Sequence, residues 1–177
     1  MVYQSKSGYT KRYIEMLAGQ VEGTMVELKA VSATQMTGYG VIVYAGGVYA
    51  GKISGIKKFF RLLGSSSPQK IALVAVGAAP LTSALREKLM QDNLTAETVT
   101  SLVKPKFFYL QGGFDPDKLN IALKAMLGMM SKNLQKKQMK TPDKITEEEQ
   151  GFLDFFQVAN DQTSEEQLAP LVAYLKL

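Results

Sequence analysis

Apolar residues recur along the chain in two alternating rhythms. One is the unbroken run, as in Val41-Ile42-Val43-Tyr44-Ala45 and Ile71-Ala72-Leu73-Val74-Ala75-Val76. Such runs predict strands buried on both faces. The other is helical spacing. Ile14, Leu17, Ala18 and Val21 recur at i, i+3, i+4 and i+7, and Ile56, Phe59, Phe60 and Leu63 mark a second such face. The first helix is expected over Thr10 to Val21, with Gly23 ending it. A further helix opens at Thr82 or Ser83 and turns Leu85 and Leu89 inward. Met1-Val2-Tyr3, Thr24 to Leu28 and Lys106 to Leu110 supply three more strands. Strand and helix thus alternate five times. That predicts an α/β fold, a doubly wound five-stranded parallel sheet with helices on both faces. No repeat, low-complexity tract or domain boundary interrupts residues 1–177, so a single domain is expected.

The C-terminal third breaks the rhythm. Asp115-Pro116-Asp117 combines an N-cap residue, a proline at the first helical position and an acid in the first turn. It predicts a helix over Lys118 to Gln138, inside a helical insertion over 114–145. Leu119, Ala122, Leu123, Met126, Leu127, Met130 and Leu134 share one face, which Ile121, Ala125 and Met129 widen. Lys118, Lys124, Lys132, Lys136, Lys137 and Lys140 accompany them with no acid before Pro142. Such a helix either covers a core or offers an adaptable, methionine-rich surface. Thr146 and Glu149 form a capping-box pattern ahead of Phe152, Phe155 and Phe156. Thr163 to Glu166 repeats that pattern, and a last helix is expected from Pro170 to Leu175.

In a doubly wound sheet, ligands bind beyond the carboxyl ends of the strands. Three loops fall there. Ser5-Lys6-Ser7-Gly8-Tyr9-Thr10 offers hydroxyls and backbone N–H groups at the positive end of a helix, which suits a phosphate. Gly46 to Ser54 reads as a second, glycine-rich loop in which Gly46 and Gly47 allow close backbone approach and Tyr49 puts a ring at the tip. Gly77-Ala78-Ala79-Pro80 is small and unobstructive. A phosphate site beside an aromatic platform suits a flat ring with a phosphorylated tail.

Composition narrows the chemistry. The chain has no Cys and no His, and no Asp before Asp92. That removes thiol chemistry, cysteine metal sites and the commonest general base and metal ligand. No metal site is expected and no catalytic residue stands out. An enzyme built from these side chains would lean on a bound cofactor. The net charge is +5 and the pI about 9.3, which favours an anionic ligand, partner or surface. With no run long enough to span a bilayer and no leader ahead of the first strand, a cytoplasmic protein is expected.

The loop Ser5-Lys6-Ser7-Gly8-Tyr9-Thr10 resembles the FMN phosphate loop of the flavodoxin family, [Thr/Ser]-x-[Thr/Ser]-Gly-x-Thr. Tyr44-Ala45-Gly46-Gly47-Val48-Tyr49-Ala50-Gly51-Lys52 resembles the second flavin loop of a branch that includes the menaquinone-dependent protoporphyrinogen dehydrogenases. The resemblance implies a flavodoxin-like fold and FMN as cofactor. It implies cofactor contacts from Ser5 to Thr10, from Ala45, Gly46, Gly47, Val48, Tyr49, Ala50, Gly51 and Lys52, and from Gly77, Ala78 and Ala79. Electron-carrier flavodoxins are acidic around the flavin; this chain is basic, with Lys52 where such acids would lie. It also carries an extra helix after the fifth strand, as the dehydrogenase branch does.

The favoured reading is therefore an FMN-dependent oxidoreductase with a small-molecule or protein redox partner. The helix 118–138 would touch a quinone or a membrane surface peripherally, and no nucleic acid is expected. A simple electron carrier is the first rival, and a flavin-free phosphate- or partner-binding domain the second. Gly46-x-x-x-x-Gly51-Lys52 nearly spells a nucleotide-binding loop. Ile53 stands where the Mg²⁺ ligand belongs and no acid follows nearby, so triphosphate hydrolysis is not expected.

Overall fold

The two unbroken apolar runs become the central strands of the sheet in a computed structural model, which describes residues 1–64, 68–96, 98–99, 103–118, 121–146, 149–151, 153 and 159–176. Strand β3 spans Val41–Tyr49 and β5 spans Lys70–Gly77, paired in parallel from Val41 opposite Lys70 to Gly47 opposite Val76. On one side β6, Lys106–Gln111, joins β5; on the other β1, Val2–Gln4, joins β3, and β2, Val26–Glu27, closes the edge. The order is β2-β1-β3-β5-β6, all parallel. This is the doubly wound flavodoxin-like arrangement, with the order reversing between β1 and β3.

Alternation within the strands makes two cores. Ile42, Tyr44, Ile71 and Leu73 point to one face. There they meet Phe59 and Phe60 of α3, Ile56–Leu63, and Leu89 of α4, Ser83–Asn93. Val43, Ala45, Ala72 and Val74 point to the other. They meet Tyr13, Ile14 and Leu17 of α1, Tyr9–Ala18, and Leu171 of the last helix, α6, Ala169–Lys176. Tyr44 and Phe59 stack at 4.5 Å between centroids, both fully buried. A short helix, α2, Ala33–Met36, carries a complete capping box between Ser32 and Gln35.

Two sequence expectations are corrected in this part of the chain. Helix α1 ends at Ala18, not Val21, because Gly19 follows as the cap residue; beyond it the Gln20 and Val21 N–H groups both donate to Leu17 O as a trailing turn. The stretch Gly46 to Ser54 is not an open loop. β3 runs through Gly46 and Gly47 to Tyr49, then folds back as β4, Lys52–Ile53, antiparallel to it. The glycines that suggested a loop are there for packing: a Cβ at Gly46 would lie 2.7 Å from both Ile53 Cγ2 and Ser54 O. The hairpin occupies the space a side chain would need.

The described residues fall into two compact units, Met1–Gly112 with Gln162–Leu177, and Gly113–Asp161. The second contains the expected insertion 114–145 and extends it to Asp161. In it, β7, Gly113–Phe114, pairs antiparallel with β8, Asn160–Asp161. A 3₁₀ turn, Pro116–Lys118, precedes α5, Ile121–Lys140. The Thr146 and Glu149 capping box forms, with Glu149 N–H on Thr146 Oγ1 at 3.2 Å and Thr146 N–H on Glu149 Oε2 at 3.1 Å. The Lys137 ammonium lies 2.5 Å from the same carboxylate, and its hydrogen bond holds the Glu149 carboxyl below the usual range. The serines 65–67, Leu119 and the phenylalanines Phe152, Phe155 and Phe156 lie outside the described residues, as do the side chains of Lys118, Ala122 and Leu123.

Candidate functional site

The strand order places the carboxyl ends of β1, β3 and β5 together at the reversal point, in the first unit. Each end leads into one of the three stretches singled out in the sequence.

The first is Ser5 to Thr10. Gly8 precedes α1 at φ 94°, a conformation that costs glycine little, and open space surrounds the position of its missing Cβ. Its N–H donates to Ser5 Oγ at 3.2 Å, which closes the turn. No side chain caps α1 and no acid occupies its first turn. The positive end of the helix dipole therefore meets no acid of its own first turn, while Lys6 is exposed beside it. Thr10 is buried at 3% exposure and Ser5 and Ser7 are half-buried. Tyr9 plays a different part: its side chain is buried in the α1 core, with its Cβ 3.1 Å from where a Cβ of Gly112 would stand. What Tyr9 brings to the loop is its backbone.

The second is the β3–β4 hairpin. Its two central residues, Ala50 and Gly51, have φ of 48° and 75°. Positive φ at both positions is the type I′ geometry that matches the twist of paired strands. The hairpin returns Tyr49 toward the first loop. The Tyr49 hydroxyl lies 3.3 Å from Ser7 Oγ, and the Lys6 ammonium lies 4.9 Å from the Tyr49 ring centroid. Gly47 marks the same junction: a Cβ there would lie 2.9 Å from the Tyr49 ring and 3.4 Å from Thr10 Oγ1. Ala45 and Gly46 are buried within β3, and Val48 is half-buried. Lys52 is exposed and donates to Asp92 O at 2.9 Å, so its ammonium is tied to the end of α4.

The third is Gly77 to Pro80, held from β6. Tyr109 donates its hydroxyl to Ala79 O at 2.5 Å, Gln111 donates Nε2 to Ala78 O at 3.2 Å, and Gly112 N–H donates to Gly77 O at 2.7 Å. Burial pushes the Tyr109 phenol well above its ordinary pKa, so it stays a hydrogen-bond donor. A side chain at Gly77 would collide with the Tyr109 hydroxyl.

The structure thus brings Ser7, Thr10, Gly47 and Tyr49 into one cluster and orders the Gly77 loop from below. Asn93, Tyr109 and Gln111 were not legible as site residues. Tyr109 and Gln111 lie in an apolar strand and Asn93 ends a polar helix, and only the tertiary fold shows which loop each holds. Tyr13 is another: its hydroxyl donates to Gln111 O at 2.5 Å and accepts from Ser164 N–H at 3.3 Å. No group of three metal-ligating side chains occurs among the described residues, and none of their helices is long and apolar enough to cross a membrane.

A family model for a flavodoxin domain matches residues 1–141. Among solved structures, a flavodoxin from the domain Archaea aligns at 19% identity and a TM-score of 0.40, over 71% of this chain and 90% of that one. No curated protein matches the chain.

Proposed function

The chain belongs to the flavodoxin-domain family, and from that premise we propose that it binds FMN noncovalently and works as a redox flavoprotein. The observation that carries this reading is the uncapped start of α1. Gly8, the loop hydroxyls and the first-turn N–H groups form an anion cradle with no acid in it, next to the Tyr49 ring. A phosphate fits there by charge and by hydrogen bonding. Ser5, Ser7 and Thr10 would hold it, with Lys6 adding positive charge. The ring of the cofactor would rest against Tyr49 of the hairpin, and the small residues Gly77, Ala78 and Ala79 would leave room on its other side.

FMN, when bound, supplies the electron chemistry that these side chains lack. The protein's share is binding, orientation and electrostatics. The absence of acids from the first two loops disfavours a docking face for a basic protein partner and favours an electron donor or acceptor that is anionic.

Helix α5 supports an enzyme over a bare carrier. Ile121, Met129 and Met139 are 87%, 66% and 78% exposed, and Met126 and Met130 are 36% and 44% exposed. No described side chain of α5 is buried. A helix that only covered a core would not leave these residues in water. We read it as the docking surface for an apolar, anionic redox partner, with a dehydrogenase-like activity on a carboxylate-bearing porphyrinogen and a quinone acceptor as the reading that the branch resemblance favours. The deciding experiment is an absorbance spectrum of the purified protein, followed by release and identification of the cofactor. Bands near those of free flavin and released FMN support the reading. A colourless protein that takes up no added FMN overturns it. Turnover with a porphyrinogen and a quinone, against simple reduction by a reductase, separates enzyme from carrier.

A further inference from the structure

We infer that Asn93, the last residue of α4, is a positioning residue for the flavin: it fixes the β3–β4 hairpin against which the ring rests. The inference builds on the FMN reading above.

The base of the hairpin is fixed by the sheet and by buried Ile53, but its turn has little to hold it. Its ladder has two pairs, Val48 with Ile53 and Tyr49 with Lys52, and its tip carries Ala50 in the left-handed region. β3 is held by the sheet, but β4 is two residues long and pairs with β3 alone, and so short a ladder is at best marginal by itself. Ile53 is buried in the core but Ala50 is exposed, so burial anchors the base of the hairpin and not its turn.

Asn93 supplies what is missing. Its side chain is 2% exposed. Its Oδ1 accepts from the Ile53 N–H at 2.8 Å, and its Nδ2 donates both to Gly51 O and to Leu89 O, each at 2.8 Å. The bonds to Ile53 and Gly51 bracket the turn, and the bond to Leu89 ties the clamp to α4. Every partner is backbone. An amide is the side chain that fits, because it accepts once and donates twice. A carboxylate at the same place could still accept from Ile53, but would set an oxygen against the carbonyls of Gly51 and Leu89. An apolar isostere would leave a buried N–H and a carbonyl unpaired. Lys52 adds an exposed second tie, from its ammonium to Asp92 O at 2.9 Å.

The consequence is preorganisation. A surface hairpin is ordered before any ligand arrives, so binding does not have to order it. Since the clamp bonds the hairpin and not the phosphate cradle, its loss falls first on the ring.

The test compares FMN and riboflavin by fluorescence titration of the wild-type protein and of Asn93→Asp. The expected result is weaker binding of both flavins by the same factor, tenfold or more, together with a moved midpoint potential of bound FMN. A purely structural role would lower thermal stability and leave the potential of bound FMN in place. Wild-type binding of both flavins with an unchanged potential overturns the inference, as does a loss confined to FMN. If the wild-type protein binds neither flavin, the FMN reading fails and takes this inference with it. Should Asn93→Asp not fold, hydrogen exchange in the wild-type protein decides. An Ile53 amide already protected without flavin and further slowed by FMN supports the clamp. One that exchanges as fast as an open loop amide, or that FMN leaves unchanged, overturns it.

Discussion

The Ser7 Oγ and the Tyr49 hydroxyl stand 3.3 Å apart across 42 residues of sequence. That contact joins the Ser5 to Thr10 turn to the hairpin that carries the Tyr49 ring. It forms because β1 and β3 are neighbours in the sheet, with Gln4 opposite Gly46, and because Gly47 has no side chain to hold the tyrosine away. The two halves of the candidate site are therefore coupled by packing before any ligand binds.

The coupling separates two roles of Tyr49. Tyr49→Phe removes the hydroxyl and keeps the ring, so flavin affinity should change less than about tenfold. Tyr49→Ala removes the stacking surface. An aromatic pair contributes about 0.5–1.5 kcal/mol beyond the area it buries, so FMN and riboflavin should both bind at least several-fold more weakly. Titration of both flavins against both variants checks this. Equal losses in Tyr49→Phe and Tyr49→Ala would show that the hydroxyl, not the ring, is what matters.

Thr10 speaks to the other half. Losing one hydrogen bond to a charged group costs about 1.5–3 kcal/mol, roughly ten- to a hundredfold in affinity. Thr10→Ala should weaken FMN by that factor and leave riboflavin, which has no phosphate, nearly unaffected. Riboflavin falling in step with FMN would place Thr10 at the ring and remove it from the phosphate.

Ala50 is the residue of the hairpin tip whose conformation its side chain opposes. With φ at 48°, its Cβ meets the strain that makes the left-handed region cost roughly 1–2 kcal/mol for an L-residue. Glycine relieves that and gives back part of the gain through a freer unfolded chain. Ala50→Gly should raise stability by up to about 1 kcal/mol, read as a higher midpoint in urea with an unchanged slope. A lower midpoint would mean that the alanine methyl makes contacts worth more than the strain.

Much of this was legible in the chain. The runs at Val41 and Ile71 gave the central strands, because a strand buried on both faces has to be apolar throughout. The turn before α1 was legible too, because its signal is local: turn residues followed at once by a helix. The hairpin was not legible. Gly46 and Gly47 looked like loop residues, and their need for glycine arises from Ile53, Ser54, Tyr49 and Thr10, contacts that exist only after folding. Asn93 and Tyr109 were hidden for the same reason. The family resemblance implies Lys52 among the residues around the flavin. Its ammonium is held by the Asp92 carbonyl, a partner 40 residues away that no spacing in the sequence announces.

The α5 surface makes the furthest-reaching claim. Ile121, Met129 and Met139 are largely exposed, and Lys124, Lys132, Lys136 and Lys140 are exposed among them. Lysines bordering apolar side chains suit an anionic lipid surface, where each contributes about 1 kcal/mol and salt weakens the effect. The expected outcome is weak binding to vesicles rich in anionic lipid at low salt, lost as salt is raised. The double variant Lys132→Glu and Lys136→Glu should weaken it by roughly thirtyfold or more, from the loss of two such contributions, with FMN binding intact. Flotation with vesicles of anionic and of neutral lipid measures it directly. Equal recovery with both lipids would show that charge plays no part. If the protein stays in solution with either, the membrane is not what α5 meets. A soluble carboxylate-bearing substrate then remains as the partner to test, by whether the same two substitutions raise its KM and leave the spectrum of bound flavin unchanged.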